Sequence, residues 1–399
     1  MYKRINLAVA LCLILAVCFC AFPAMAAEKA QKAKWTFMVY LNSDNELDGY
    51  ADWEIGDVAE MKRIGSSPDV NIVVFHDRKG VGAMKLFIKK GEVQILEKLG
   101  KVDSGDYREL IKFGQWAVAN YPAEHYVMDI WDHGTGWSKK AKKSSRGISY
   151  DYDSGNNMDT PQLGEAMKQI ALAAGQNIDI FGMDACNMQM IEVAYEVKDC
   201  VNYIVASEES EPANGWAYNL LLKPLVENPA VAPVDFAKIM VDSYYQSYCH
   251  SYRPVTLSAL DCSKLDALRE KIDALAVALI EKMDSSEVPL TIKKAFAAEN
   301  VMHYDTDICD LVHFCQYLNA NITDAKINQA ADELIMMAVS SPSKAVICNI
   351  HLQDYEENSN GISIYLPSYS FMSLSYKKIK FGSTMWTKFI EAYAAVLNI

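Results

Sequence analysis

Residues 126–136, YVMDIWDHGTG, and residues 178–188, IDIFGMDACNM, share one construction: an apolar run of strand length that breaks into a short turn of polar and small residues. Strands buried on both faces of a parallel sheet read as near-continuous apolar runs, and ligands sit beyond their carboxyl ends. The first run delivers His133 to such an end and the second delivers Cys186. If the two strands are neighbours, imidazole and thiol converge on one rim, and a Cys–His pair is a nucleophile with its base. Either residue alone says less, because a lone histidine is commonly structural and a lone cysteine commonly core. Gly134 and Gly136 let the first turn approach a substrate closely. The backbone N–H groups of Gly134 and Cys186 are the candidate oxyanion donors.

Outward from these runs, strands are expected at Trp35–Leu41 and Asn71–His76. Between them, Asp44 to Asp48 offer cap chemistry for a helix through Met61. Met84–Leu99 reads as a hairpin about Lys89-Lys90-Gly91-Glu92. Asp106 caps a helix that Pro122 stops, and Thr160-Pro161 opens another that ends at Gly175. A helix over Met190–Val197 and a strand at Tyr203–Ala206 follow. This alternation predicts an α/β fold with a mostly parallel sheet, forming one domain over residues 27–255. Residues 256–399 read as a mainly helical subdomain, with helices at Leu265–Met283, Asp305–Leu318 and Ile327–Val339. Its last strands, Lys344–Ile350 and Gly361–Leu366, are placed to extend the sheet.

The 399 residues are 51% hydrophobic and 22% charged, which suits a folded chain and excludes intrinsic disorder. A net charge of −13 without a long basic run leaves no surface for neutralising phosphates, so nucleic acid is not an expected partner. Residues 1–26 read as a signal peptide: Lys3 and Arg4, an apolar run from Leu7 to Phe22, Pro23, then Ala24-Met25-Ala26. Export follows, to the medium or to the periplasm and cell envelope. An uncleaved anchor and a lipoprotein are the alternatives, although Val17 and Phe19 are bulky where lipoprotein processing needs a small residue before Cys18 or Cys20. Beyond residue 26 there are seven cysteines, an odd number, so at least one is free unless chains pair. Cys309 and Cys315 have no zinc-type spacing.

The pattern resembles the clostripain-type cysteine peptidases, family C11 of the clan that holds caspases, legumains and gingipains. In that clan a His-Gly follows one strand and an Ala-Cys the next, here His133-Gly134 and Ala185-Cys186. Similar stretches run along the chain: WTFMVYLNSDN (35–45), FGMDAC (181–186) with Met188 and Glu192, ASEESEPANGW (206–216), TLSALD (256–261) and GISIYLP (361–367). The resemblance implies a caspase-like α/β/α sandwich with His133 as base and Cys186 as nucleophile, cutting protein or peptide substrates after Arg or Lys. Asp184, two residues before the nucleophile, would then floor the pocket for the basic side chain, with Ser207, Glu208, Glu209 and Glu211 supplying a second acidic or polar partner. A buried guanidinium requires such carboxylates. Asp184 as a cap for a helix starting near Asn187 is the competing reading.

Such enzymes are often zymogens cut after a basic residue between His and Cys into light and heavy chains. Here Lys143-Ser144 and Arg146-Gly147 lie in a polar loop suited to self-cleavage. A Cys–His mechanism requires no cofactor. Calcium is a further expectation, since clostripain itself depends on it. Asp44, Glu46, Asp48 and Gly49 imitate the start of an EF-hand, but Ile55 stands where a bidentate Glu is needed. Asp151, Asp153 and Asp159 form a second acidic cluster. The alternatives are a caspase-clan peptidase or transpeptidase of other specificity, or an inactive exported binding protein on the same fold.

Overall fold

The computed structural model describes residues 32–52, 55–137, 147–353, 357–368 and 374–396. Residues 33–399 cluster as one compact unit. Its strands are β1 (Ala33–Ser43), β2 (Val70–Arg78), β3 (Gly82–Lys89), β4 (Glu92–Gly100), β5 (Ala123–Trp131), β6 (Ile148–Asp151), β7 (Asn156–Met158), β8 (Ile178–Asp184), β9 (Val201–Ala206), β10 (Val255–Asp261), β11 (His303–Asp305), β12 (Ile308–Asp310), β13 (Val346–Leu352) and β14 (Ser363–Tyr365). Nine of them form one sheet in the order β13-β10-β9-β8-β5-β1-β2-β3-β4. The five central strands, β9 to β2, run parallel, and both flanks are antiparallel.

Side chains of β1 alternate between two cores, as the two-residue period of a strand requires. Trp35, Phe37, Val39 and Leu41 pack with Val58, Leu221 and Phe236 of helices Asp57–Ile64, Tyr218–Glu227 and Pro233–Tyr248. Met38 and Tyr40 face the other way, onto Phe113, Met167 and Val193 of helices Tyr107–Asn120, Thr160–Ala174 and Ile191–Val197. Helices thus cover both faces, giving an α/β/α sandwich. Among the described residues no helix is long and apolar enough to cross a membrane.

Several elements depart from the sequence reading. The helix expected from Asp44 starts only at Asp57. Asp48 and Asp52 are held by the Arg78 guanidinium, at 2.9 and 3.2 Å, and so hold a loop in place of starting a helix. Asp159, rather than Thr160, caps the helix ending at Ala174, in a reciprocal capping box with Gln162. The helix expected from Asp305 begins at Leu311, because 303–305 and 308–310 pair with each other and Asp310 caps the helix through the His313 N–H. Of the two late strands, β13 extends the large sheet while β14 joins β12 in a separate three-stranded sheet. All seven described cysteines are unpaired.

The C-terminal region is stitched to the chain just after Cys186. Gln189 donates its side-chain amide to the Ser258 carbonyl at 2.8 Å and accepts the Ser363 N–H at 3.0 Å. Glu192, fully buried, accepts the Tyr365 N–H at 3.0 Å and the Tyr376 hydroxyl at 2.8 Å. Burial nevertheless pushes this carboxyl up to about 7. Its folded pKa exceeds the unfolded one, so the native state holds the proton longer and loses stability as pH rises across that window. Glu192→Gln should flatten part of the fall in urea-measured stability between about pH 5 and about pH 8. Glu192→Ala, which orphans the Tyr365 and Tyr376 donors, should destabilise by about 2 kcal/mol.

Candidate active site

β5 and β8 are parallel neighbours, with Trp131 opposite Asp184, and the Asp132 N–H donates to the Asp184 carbonyl at 3.2 Å just beyond the paired residues. His133 and Cys186 therefore leave the sheet two residues past the same register position. Both line one cavity with Trp131, Asp184, Glu211 and Gly215. Gly134 packs against the Cys186 turn: a Cβ there would stand 2.4 Å from the Cys186 carbonyl oxygen and 3.1 Å from Ala185 Cβ.

The turn carrying His133 is locked from below. Buried Asp132 accepts from Asn42 Nδ2 at 3.1 Å, from Asn45 Nδ2 at 2.7 Å and from the Tyr150 N–H. The imidazole stacks on Tyr152, with ring centroids 6.3 Å apart and an interplanar angle of 13°, and meets Tyr150 edge-on. Nε2 lies 3.0 Å from Glu46 Oε1, off the line of an N–H···O bond.

Cys186 Sγ accepts the Glu211 N–H at 3.2 Å. Burial, with the Glu209 and Asp184 carboxylates adding to it, pushes the thiol up, against the pull of that N–H. The resting site accordingly holds a thiol. Asn187 follows in a left-handed conformation, φ 59°, its N–H donating to the Glu209 carbonyl at 3.1 Å and its Nδ2 to the Glu208 carbonyl at 2.8 Å. These bonds clamp the 207–211 loop onto the Cys186 turn.

Two acidic residues meet at the pocket floor. Asp184 Oδ2 accepts the Trp216 N–H at 2.9 Å and lies 3.2 Å from the Tyr218 hydroxyl, which is 2.7 Å from Asp129. It caps no helix, since the next one starts at Ile191 with Met190 as its N-cap. Burial pushes Asp184 up to about 6 and Asp129 up to about 8. Glu211, whose carboxyl oxygens are shielded from solvent, is pushed well up by burial and then by the charge of Asp184. Burial and the mutual charge of these groups thus favour the protonated form at this floor. Gly215 roofs it at φ 54°, where a Cβ would sit 2.7 Å from Asp184 Oδ2.

The other candidates in the 207–211 loop face elsewhere. Ser207 Oγ bonds Thr256 Oγ1 and the Glu209 carbonyl, each at 2.9 Å. Glu208 is buried against Asp310 and accepts the Gly361 N–H at 2.7 Å. The Glu209 carboxylate turns back to the Ser210 N–H. These three brace the loop and do not line the pocket. Tyr152, Trp216 and Tyr218 were not singled out from sequence, although Trp216 closes the ASEESEPANGW stretch, and Glu46 was noted only as part of an EF-hand imitation. Lys143 and Arg146 lie outside the described residues. Gly147 is fastened on both sides, donating to Thr135 Oγ1 at 3.1 Å and accepting the Thr135 N–H at 3.0 Å.

Comparison with known proteins gives a consistent picture. The clostripain family, Peptidase C11, matches residues 39–392. Clostripain of Hathewaya histolytica is 23% identical over 447 residues, covering 93% of this chain and 82% of that protein. A secreted C11 cysteine protease from Bacteroides thetaiotaomicron, solved with an irreversible peptide inhibitor, superposes with a TM-score of 0.66 at 20% identity, over 90% of this chain and 99% of that one. An inactive zymogen C11 protease from Parabacteroides distasonis does so with a TM-score of 0.65 at 20% identity, over 88% and 97%. Gly134→Ala would push the two turns apart, and peptidase kcat/KM should fall by about a hundredfold while thermal unfolding shifts far less. Activity within threefold of the parent, by initial rates on a peptide substrate, would show that the close approach is dispensable.

Proposed function

The chain belongs to the clostripain family of cysteine peptidases, and from that premise we propose an exported endopeptidase that uses Cys186 and His133 to cut after Arg or Lys. The observation that carries this reading is the meeting of His133, Cys186, Asp184 and Glu211 in one cavity. Since the resting nucleophile is a thiol, His133 takes its proton as Sγ attacks the peptide carbonyl and the C–S bond forms. Charge on the carbonyl oxygen is met by the Gly134 and Cys186 N–H groups. His133 then returns the proton to the leaving amine as the C–N bond breaks. A water, deprotonated by His133, hydrolyses the acyl-enzyme and frees the thiol.

Specificity follows from the floor. Asp184 and Glu211 stand together without a cation, an arrangement that a guanidinium or ammonium entering the pocket would complete. A neutral or acidic side chain would bring no countercharge to these carboxyls, an outcome that opposes binding. The N-terminal run of residues 1–26, with its basic start and small-residue end, supports export. Self-cleavage falls after a basic residue of the 138–146 segment. The two bonds that hold Gly147 would have to open for the Arg146–Gly147 link to enter the site, which favours a residue further back, such as Lys143.

Purified wild-type, Cys186→Ala and Asp184→Asn chains, assayed on matched Arg-, Lys-, Asp- and Asn-ending peptides, test this reading. Only the wild type should be processed within 138–146, with the cut located by mass spectrometry, and only basic substrates should turn over. Asp184→Asn should raise KM for Arg substrates by about a hundredfold. For the wild type, kcat/KM on an Arg substrate should climb as pH rises through about 6, where Asp184 ionises. Cleavage by Cys186→Ala, or equal turnover of an Asp-ending peptide, would refute the assignment.

A further inference from the structure

A second cavity adjoins the first across Gly215, which lines both. It encloses about 410 Å³ and is walled by Tyr50, Asp57, Glu60, Trp216 and Tyr248. Asp57 opens the helix that ends at Ile64 and is 4% exposed. Its Oδ2 is buried with no hydrogen-bond donor, and so is Oε2 of Glu60, three residues further along the same helix. Among the described residues no lysine or arginine makes an ion pair with either. Burial, and then the charge of Asp184, pushes the Asp57 carboxyl well up, against a hydrogen bond from the Trp131 side chain. Burial raises Glu60 as well, against the Asn219 N–H and the charge of Arg63.

Orphaned carboxyl oxygens on the wall of a cavity call for a donor or a cation. Tyr50, Trp216 and Tyr248 complete that wall, and aromatic rings beside carboxyls attract ammonium and guanidinium groups, whereas a hard metal ion takes oxygen ligands alone. The 212–217 segment divides the two cavities: Pro212 and Ala213 line the first, and Asn214, Trp216 and Ala217 the second. Side chains two residues apart on an extended peptide leave from one face, about 7 Å apart, so one substrate can present basic groups on both sides of Gly215. We propose, resting on the basic specificity inferred for the first cavity, that Asp57 and Glu60 form a second subsite that takes another Lys or Arg side chain of the same substrate. Its entry would displace the carboxyl protons to solvent and leave charge-assisted pairs in their place. Clustered basic sequences are then preferred over isolated basic residues. The segment assigned above to self-cleavage is of this kind, with Lys139, Lys140, Lys142, Lys143 and Arg146.

The test measures binding rather than cleavage, by fluorescence anisotropy of labelled peptides on the full chain carrying Cys186→Ala. The peptides keep Arg at the cut position and move one Lys through the neighbouring positions, each compared with its counterpart bearing Ala there. One Lys-bearing peptide should bind about tenfold more tightly than its counterpart, and Asp57→Asn combined with Glu60→Gln should bring that ratio below about twofold. Ratios below about twofold at every position, or a gain that persists in the double variant, would overturn the subsite. The Asp184 floor would still stand in that case if Arg outbinds Ala at the cut position, and absence of binding by every peptide would overturn both. Should the double variant lose its cooperative unfolding transition, Glu60→Gln alone decides: the ratio should fall by about threefold or more, and an unchanged ratio refutes the subsite. Spermidine binding that the variants abolish, without a gain from Lys in any peptide, would assign the cavity to a free polyamine and overturn the proposal.

Discussion

The side-by-side parallel pairing of β5 and β8 is the constraint on which the rest depends. With Trp131 opposite Asp184 and the Asp132 N–H on the Asp184 carbonyl, the two polar turns must emerge together. A slip of one residue would send His133 or Cys186 to the other face of the sheet. The apolar runs that make these strands are buried on both faces, so helices on either side fix the register by packing, without any contribution from the reacting groups.

Around this rim the chain concentrates carboxyl groups out of water. Asp132, Asp184, Asp129 and Glu208 are all buried, and burial pushes each above the ordinary carboxylate range. Their partners divide them by task. Asp132 is saturated by asparagine and backbone donors and shapes the His133 turn. Glu208 is tied to Gly361 and holds the specificity loop to the C-terminal region. Asp184 and Glu211 adjoin each other at the cavity floor. Buried charge that lacks a cation is unfavourable, and under the specificity proposed above the substrate's basic side chain would supply the cation.

Much of this was legible in the sequence because it rests on local pattern. Apolar runs ending in DHGTG and DACN predicted both strands, both turns and the meeting of His133, Cys186 and Asp184 at one cavity. What sequence could not resolve depended on contacts across the fold. Nothing local distinguishes Glu211 from Glu208 and Glu209; their roles separate only when the Asn187 bonds and the Gly361 N–H set the loop's direction. Asp48 read as cap chemistry because its partner, Arg78, lies 30 residues away.

The central claim is that His133, Cys186 and the acidic floor form one working site, and covalent trapping tests it most directly. The unprocessed and processed chains would be treated with an Arg-ending peptide acyloxymethyl ketone, and the modified cysteine mapped by mass spectrometry. A single adduct on Cys186, strongly slowed by His133→Ala and far slower with an Asp-ending reagent, is the predicted result. Modification of another cysteine such as Cys249 or Cys348, or labelling indifferent to His133 and to the charge of the reagent, would contradict the account.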